Sequence, residues 1–99
     1  MPLLSPAQIE SELVSLDNWQ FLTDEICAQL TFDTFEDAYD FVKKVCDLAI
    51  RVNHHPTFFW SYHQLTLTLA THDQGGITEK DIAFARLVDQ IEIPRSLPS

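Results

Sequence analysis

Basic residues are scarce in this chain of 99: six Lys and Arg stand against fifteen Asp and Glu, a formal charge of −9. Such a field repels nucleic acid and anionic membrane, and offers no funnel for polyphosphate substrates. A neutral ligand or a protein partner is favoured. Cysteine is nearly as rare. Cys27 and Cys46 lie 19 positions apart in apolar surroundings, a spacing that matches no metal-binding or redox signature. Two are too few for a disulfide framework, and buried free thiols are expected. No run approaches the roughly 20 apolar residues of a membrane span. The opening "MPLLSPAQIE" has neither the basic start nor the long apolar stretch of a secretion signal, so the expected location is the cytoplasm. Only two glycines occur, and with 45% apolar residues the chain is well supplied for a packed core. Its length fits one domain over residues 1–99, small enough that self-association would help to bury surface.

What is present changes period along the chain. "SPAQIESEL" opens a helix: Ser5 can cap it, Pro6 suits its first position, and Gln8 completes a capping box. Ile9, Leu13 and Leu16 share one side. In "NWQFLTDEICAQLTF" the period becomes two, with Trp19, Phe21, Ile26, Ala28, Leu30 and Phe32 flanking "TDE", which predicts a hairpin. From Thr34 a helical stripe of Phe35, Ala38, Val42, Val45, Ala49 and Val52 follows, with acids at its start and Lys43, Lys44 and Arg51 further along. Pro56 disfavours helical backbone at His55, so this helix should end near Asn53, a residue suited to a left-handed stop. Leu65, Leu67 and Leu69 then alternate with Gln64, Thr66 and Thr68, the clearest strand in the chain, and Thr57 to Trp60 can form another. "HDQGGITEKD" closes that strand with a glycine turn. It then opens a last helix through Thr78 and Asp81, carrying Ile82, Ala85, Leu87, Val88 and Ile91 up to Pro94; residues 95–99 read as a frayed tail. The predicted class is α+β: an antiparallel four-stranded sheet with three helices packed on one face.

The stretch with most chemical content is "NHHPTFFW", Asn53 to Trp60. His54 and His55 are adjacent, so in extended backbone their rings point apart and cannot grip one ion. A metal site would need His63 or His72 to converge on them with Asp73, and no known spacing supports that. Proton transfer is the alternative use, since an imidazole near its ordinary pKa of about 6.5 can donate or accept at neutral pH. Rings gathered at one end of a sheet beside Trp60 and Tyr62 could grip a flat heterocycle. The plainer alternatives are histidines that satisfy backbone at a helix exit, aromatics that belong to the core, and an Asp81 that merely starts a helix.

"HHP" at 54–56, Tyr62, "THD" at 71–73, "GGIT" at 75–78 and Asp81 together resemble the pterin-4a-carbinolamine dehydratase family, from about Trp19 to the last helix. That resemblance implies a single-domain α+β fold. The implied activity is removal of water from a 4a-hydroxytetrahydropterin, giving the quinonoid dihydropterin in tetrahydropterin recycling. Carried over by position, the catalytic residues would be His54, His55 and His72. Trp19, Pro56, Trp60, Tyr62, Thr71 and Asp73 would contact the pterin. No metal or tightly held cofactor is implied, and a homodimer or homotetramer is.

One position departs from the family pattern. Ile50 stands where an acid usually lies, four residues before the first histidine. A carboxylate there could orient His54 or favour its charged form, and isoleucine can do neither. The departure opens a second reading, a catalytically weakened member that binds other proteins. The family includes a transcriptional cofactor and a Rubisco assembly factor.

Overall fold

The computed structural model describes residues 2–91. In chain order the elements are α1 (Pro6–Leu13), β1 (Trp19–Leu22), β2 (Glu25–Thr31), α2 (Phe35–Val52), β3 (Thr57–Ser61), β4 (Gln64–Leu69), a single 3-10 turn (His72–Gln74) and α3 (Glu79–Asp89). All strand pairs are antiparallel, in the order β1-β2-β4-β3. Among the described residues the architecture is the predicted one, three helices and four antiparallel strands.

Local chemistry explains the boundaries. Ser5 Oγ accepts from the Gln8 N–H at 3.2 Å while Gln8 Oε1 accepts from the Ser5 N–H at 2.7 Å, the reciprocal cap expected at α1. Thr34 Oγ1 caps α2 by accepting from the Asp37 N–H. Asn53 ends α2 in the left-handed conformation, φ 56° and ψ 46°. The two hairpins turn on two residues each, Thr23–Asp24 and Tyr62–His63, with Thr23 and Tyr62 at positive φ. α3 closes at Asp89 with Gln90 as its cap, so Ile91 follows the helix rather than extending it. Pro94 and the tail at 95–99 lie outside the described residues.

Register decides the core. Ala28 faces Leu67, Ile26 faces Leu69, and Trp60 faces Leu65 across the strands. That sheet face meets Ala38, Phe41, Val45 and Leu48 of α2 and Ile82, Phe84, Ala85 and Val88 of α3 in one buried cluster. The opposite face carries Gln20, Gln29, Thr66 and an exposed Phe59. Phe41 and Phe84 are the largest fully buried side chains, and truncating either to alanine costs about 3–5 kcal/mol. Cys27 is buried and Cys46 half-buried, both as free thiols. No helix among the described residues is long and apolar enough to cross a membrane.

Candidate active site

The C-terminal end of α2, the start of β3, the end of β4 and the first turn of α3 meet at one end of the sheet. The left-handed turn at Asn53 reverses the chain, and the His54 N–H donates back to the Ala49 carbonyl at 3.1 Å. Pro56 is buried immediately before β3. This holds His54 inward, its side chain only 13% exposed, and leaves His55 outward. From the other side, β4 runs into Thr71 and the turn bearing His72. Gly75, at φ 77°, provides the left-handed residue that closes that turn.

A cavity of about 340 Å³ lies between these segments, lined by Asn53, His54, His55, Thr71, His72 and Asp73. Lys80, on the first turn of α3, stands at its exposed edge. A larger groove of about 420 Å³ runs between α2 and α3, lined by Lys44, Asp47, Arg51 and Leu87, but it contains no histidine. The smaller cavity is the one lined by imidazoles, the groups suited to exchanging protons near neutral pH.

Behind the histidines sits Asp81, fully buried. Its Oδ1 lies 2.6 Å from His54 Nε2. Its Oδ2 accepts from the Thr71 hydroxyl at 2.8 Å and from the Thr78 N–H at 2.9 Å. The Thr78 hydroxyl is 2.8 Å from Thr71 Oγ1. Because Thr71 gives its proton to Asp81, Thr78 donates to Thr71, and the two threonine hydroxyls and Asp81 Oδ2 are all satisfied. With Asp81 ionised, Oδ1 is an acceptor as well, so His54 donates to it through Nε2, and in the neutral ring Nδ1 is the acceptor nitrogen. The Phe84 ring meets the imidazole edge-on, centroids 6.0 Å apart, and fixes it from below.

Of the residues expected at a site, His54, His55, His72, Thr71 and Asp73 are brought together, and Pro56 is buried beside His55 in the chain without lining the cavity. Three others lie elsewhere. Trp19 is in the core, 4% exposed, donating through Nε1 to Asp89 Oδ1 at 2.9 Å, and it does not line the histidine cavity. Trp60 and Tyr62 sit at the far end of β3, since a strand advances about 3.3 Å per residue and carries Tyr62 roughly 17 Å beyond Thr57. There Trp60 stacks on Phe35 at 4.9 Å, donates through Nε1 to the Tyr62 carbonyl, and joins Tyr39 and Tyr62 in an aromatic cluster. His63 is in the same distant turn. Among the described residues no group of three His, Cys, Asp or Glu side chains is placed to hold a metal ion.

Asp81 is what sequence reasoning undervalued. It does start α3, as the third-position acid of a capping box with Thr78. The same carboxylate also orients His54 from 27 positions away. The Thr-x-x-Asp spacing carried the first role, and nothing local carried the second. Ile50, by contrast, is 72% exposed on α2.

Comparison with known proteins gives a consistent result. The family model described as Pterin 4 alpha carbinolamine dehydratase matches residues 2–91. A protein of Thermosynechococcus vestitus, provisionally named pterin-4-alpha-carbinolamine dehydratase, is 38% identical over 90 residues, covering 91% of this chain and 95% of its own. One of Chloroflexus aurantiacus with the same provisional name is 40% identical over 91 residues, covering 92% and 98%. Among solved structures, a transcriptional coactivator/pterin dehydratase from Brucella melitensis superposes with a TM-score of 0.84 at 32% identity, over 88% of this chain and 95% of that one. A pterin dehydratase-like protein identified as a RuBisCO assembly factor of the alpha-carboxysome shares the fold at a TM-score of 0.60 and 19% identity, over 72% and 82%.

Proposed function

Because the chain belongs to the pterin-4-alpha-carbinolamine dehydratase family, we propose that it eliminates water from a 4a-hydroxytetrahydropterin, with His54, His55 and His72 as its acid and base groups. The observation that carries this reading is the cavity of about 340 Å³ on which all three imidazoles converge. Its volume falls at the small end of the range for ligand pockets, which suits a two-ring heterocycle. Thr71, Asp73 and Pro56 shape the pterin site. The enzyme acts in the cytoplasm as a homodimer or homotetramer within tetrahydropterin recycling, and draws on no bound cofactor.

The elimination needs two proton movements. As the C4a–O bond breaks, the oxygen leaves with the bonding pair and takes a proton to become water. The N5–H pair becomes the new N5=C4a bond, and its proton passes to a base. His54 suits the base role: Asp81 holds its Nε2–H, presents Nδ1 as the acceptor, and lies beside the positive charge that develops on the ring. His55 and His72 are exposed to solvent, so either can recharge from water and protonate the departing hydroxyl. Groups of this kind typically contribute about a hundred- to ten-thousand-fold each.

Stopped-flow absorbance of freshly prepared 4a-hydroxytetrahydropterin, with and without the protein, tests the proposal. The expected result is faster decay with protein, slowed in each of His54→Ala, His55→Ala and His72→Ala while the fold is retained. Equal decay in both samples would end it.

A second reading, a member that binds proteins in place of chemistry, draws its support from Ile50. An apolar side chain, 72% exposed, replaces an acid on the helix leading into the site. The coactivator named for the Brucella relative and the assembly factor named for the more distant one have roles of that kind. Pull-down of a stoichiometric partner by a protein without dehydratase activity would favour it. Asp81 weighs on the enzyme side, because it supplies His54 with the carboxylate that position 50 lacks.

A further inference from the structure

The segment ahead of α1 is tied to the histidine turn. The Leu4 N–H donates to the Ile77 carbonyl at 2.8 Å. Leu3 lies over Gly76 so closely that a β-carbon on that glycine would meet Leu3 Cδ2 at 3.2 Å. Leu3, Leu4, Pro6, Ile9 and Phe21 enclose a small cavity of about 160 Å³ against the Gly75–Ile77 side of the turn. Across the same turn, the Thr71 N–H donates to the Gly76 carbonyl at 2.8 Å, and the Gly75 N–H to the Thr71 carbonyl at 3.0 Å. The inner side of the turn carries Thr71 and His72 into the histidine cavity, and the Thr71 hydroxyl is bonded to Asp81.

Beyond its own backbone bonds and the Thr71–Asp81 link, the turn has little side-chain packing to hold it. His72, Asp73, Gln74 and Gly75 are all exposed, and Ile77 is its one large apolar anchor. A turn with few buried contacts is drawn from the easily opened part of a structure unless something outside restrains it. Leu3 and Leu4 supply that restraint. Neither borders the cavity where chemistry would occur.

We propose that Leu3 and Leu4 are positioning residues of the histidine site, clamping the Gly75–Ile77 side of the turn so that His72 and Thr71 stay in register with His54 and Asp81. The functional consequence rests on the dehydratase reading, and the geometric one does not. Displacing a catalytic ring by about 1 Å can cost up to a hundredfold in rate.

The test is the full chain carrying Leu3→Ala with Leu4→Ala, which removes both side chains of the clamp while keeping the Leu4 N–H donor, beside Leu3→Ala alone, which changes only a half-exposed side chain. Leu30→Ala, a partly buried change in β2 at the far end of the sheet, serves as a stability control. Stopped-flow kinetics and the ring ¹H–¹⁵N resonances of all four histidines are recorded for each. In the double variant kcat should fall about tenfold with KM within about twofold, the signature of lost alignment rather than lost binding. The His72 ring resonances should move while those of His63, in the distant turn, do not. Leu30→Ala should move neither kcat nor His72 at an equal loss of Tm. An unmoved His72 ring in both variants overturns the clamp, as does an equal fall in kcat in the control. If the wild type shows no dehydration, the dehydratase reading falls, and the His72 resonances still decide the clamp by themselves.

Discussion

Replacing Asp81 with asparagine isolates the central interaction, because the side chain keeps its size while the charge is lost and one acceptor oxygen becomes an NH2 donor. Asp81 Oδ2 receives the Thr78 N–H at 2.9 Å and the Thr71 hydroxyl at 2.8 Å. A backbone N–H cannot rotate away, so the asparagine carbonyl must take that side. Its NH2 is then forced against His54 Nε2, where two donors would face one another at the present 2.6 Å. His54 escapes by moving its proton to Nδ1, which turns the proposed base into a nitrogen already occupied. The expected loss is that of one general base, about a hundred- to ten-thousand-fold in kcat. Stability should fall by about 1 kcal/mol, as a hydrogen bond to a charged group gives way to one between neutral groups. In a domain of this size that lowers Tm by about 4–8 °C. Stopped-flow absorbance gives the rate, a circular-dichroism melt gives Tm, and ¹⁵N shifts of the His54 ring report the tautomer directly. A variant whose rate stays within about twofold of wild type, with Nε2 of His54 still protonated, would refute the assignment of His54 as the oriented base.

Three further outcomes follow from the same geometry. Ile50→Glu should raise the dehydration rate by no more than about threefold, because Asp81 already occupies His54 Nε2; a gain nearer a hundredfold, the scale of a missing catalytic group, would mark a decayed site. Trp19→Phe should cost about 0.5–1.5 kcal/mol through loss of the bond to Asp89, seen as a lower urea midpoint, with KM for the pterin unchanged. Burial, with Glu25 beside it, raises the Cys27 pKa, so the native thiol ionises later than an unfolded one. That contribution to stability is complete below the ordinary thiol pKa and is lost as pH rises above it, so alkylation of Cys27 should lag far behind that of an unfolded control at mildly alkaline pH.

The features legible in the linear sequence are those decided within a few residues. The Ser5–Gln8 and Thr78–Asp81 caps, the left-handed exit at Asn53, the helical stripe through α2 and the alternating leucines of β4 all depend on local backbone hydrogen bonds and side-chain period. These determined the α+β class and the order of elements. The HHP and THD segments marked which residues to watch. What only the tertiary structure decided is which of them meet. Trp60 and Tyr62 are near His55 in the chain, but an extended strand carries them to the opposite end of the sheet. Trp19 spends its polar atom on Asp89 in the core. Asp81 and His54 are 27 positions apart, and they touch because β4 inserts between β2 and β3 and delivers Thr71, His72 and the start of α3 to the end of α2. Strand order and register are properties of the whole packed chain, and no local period encodes them.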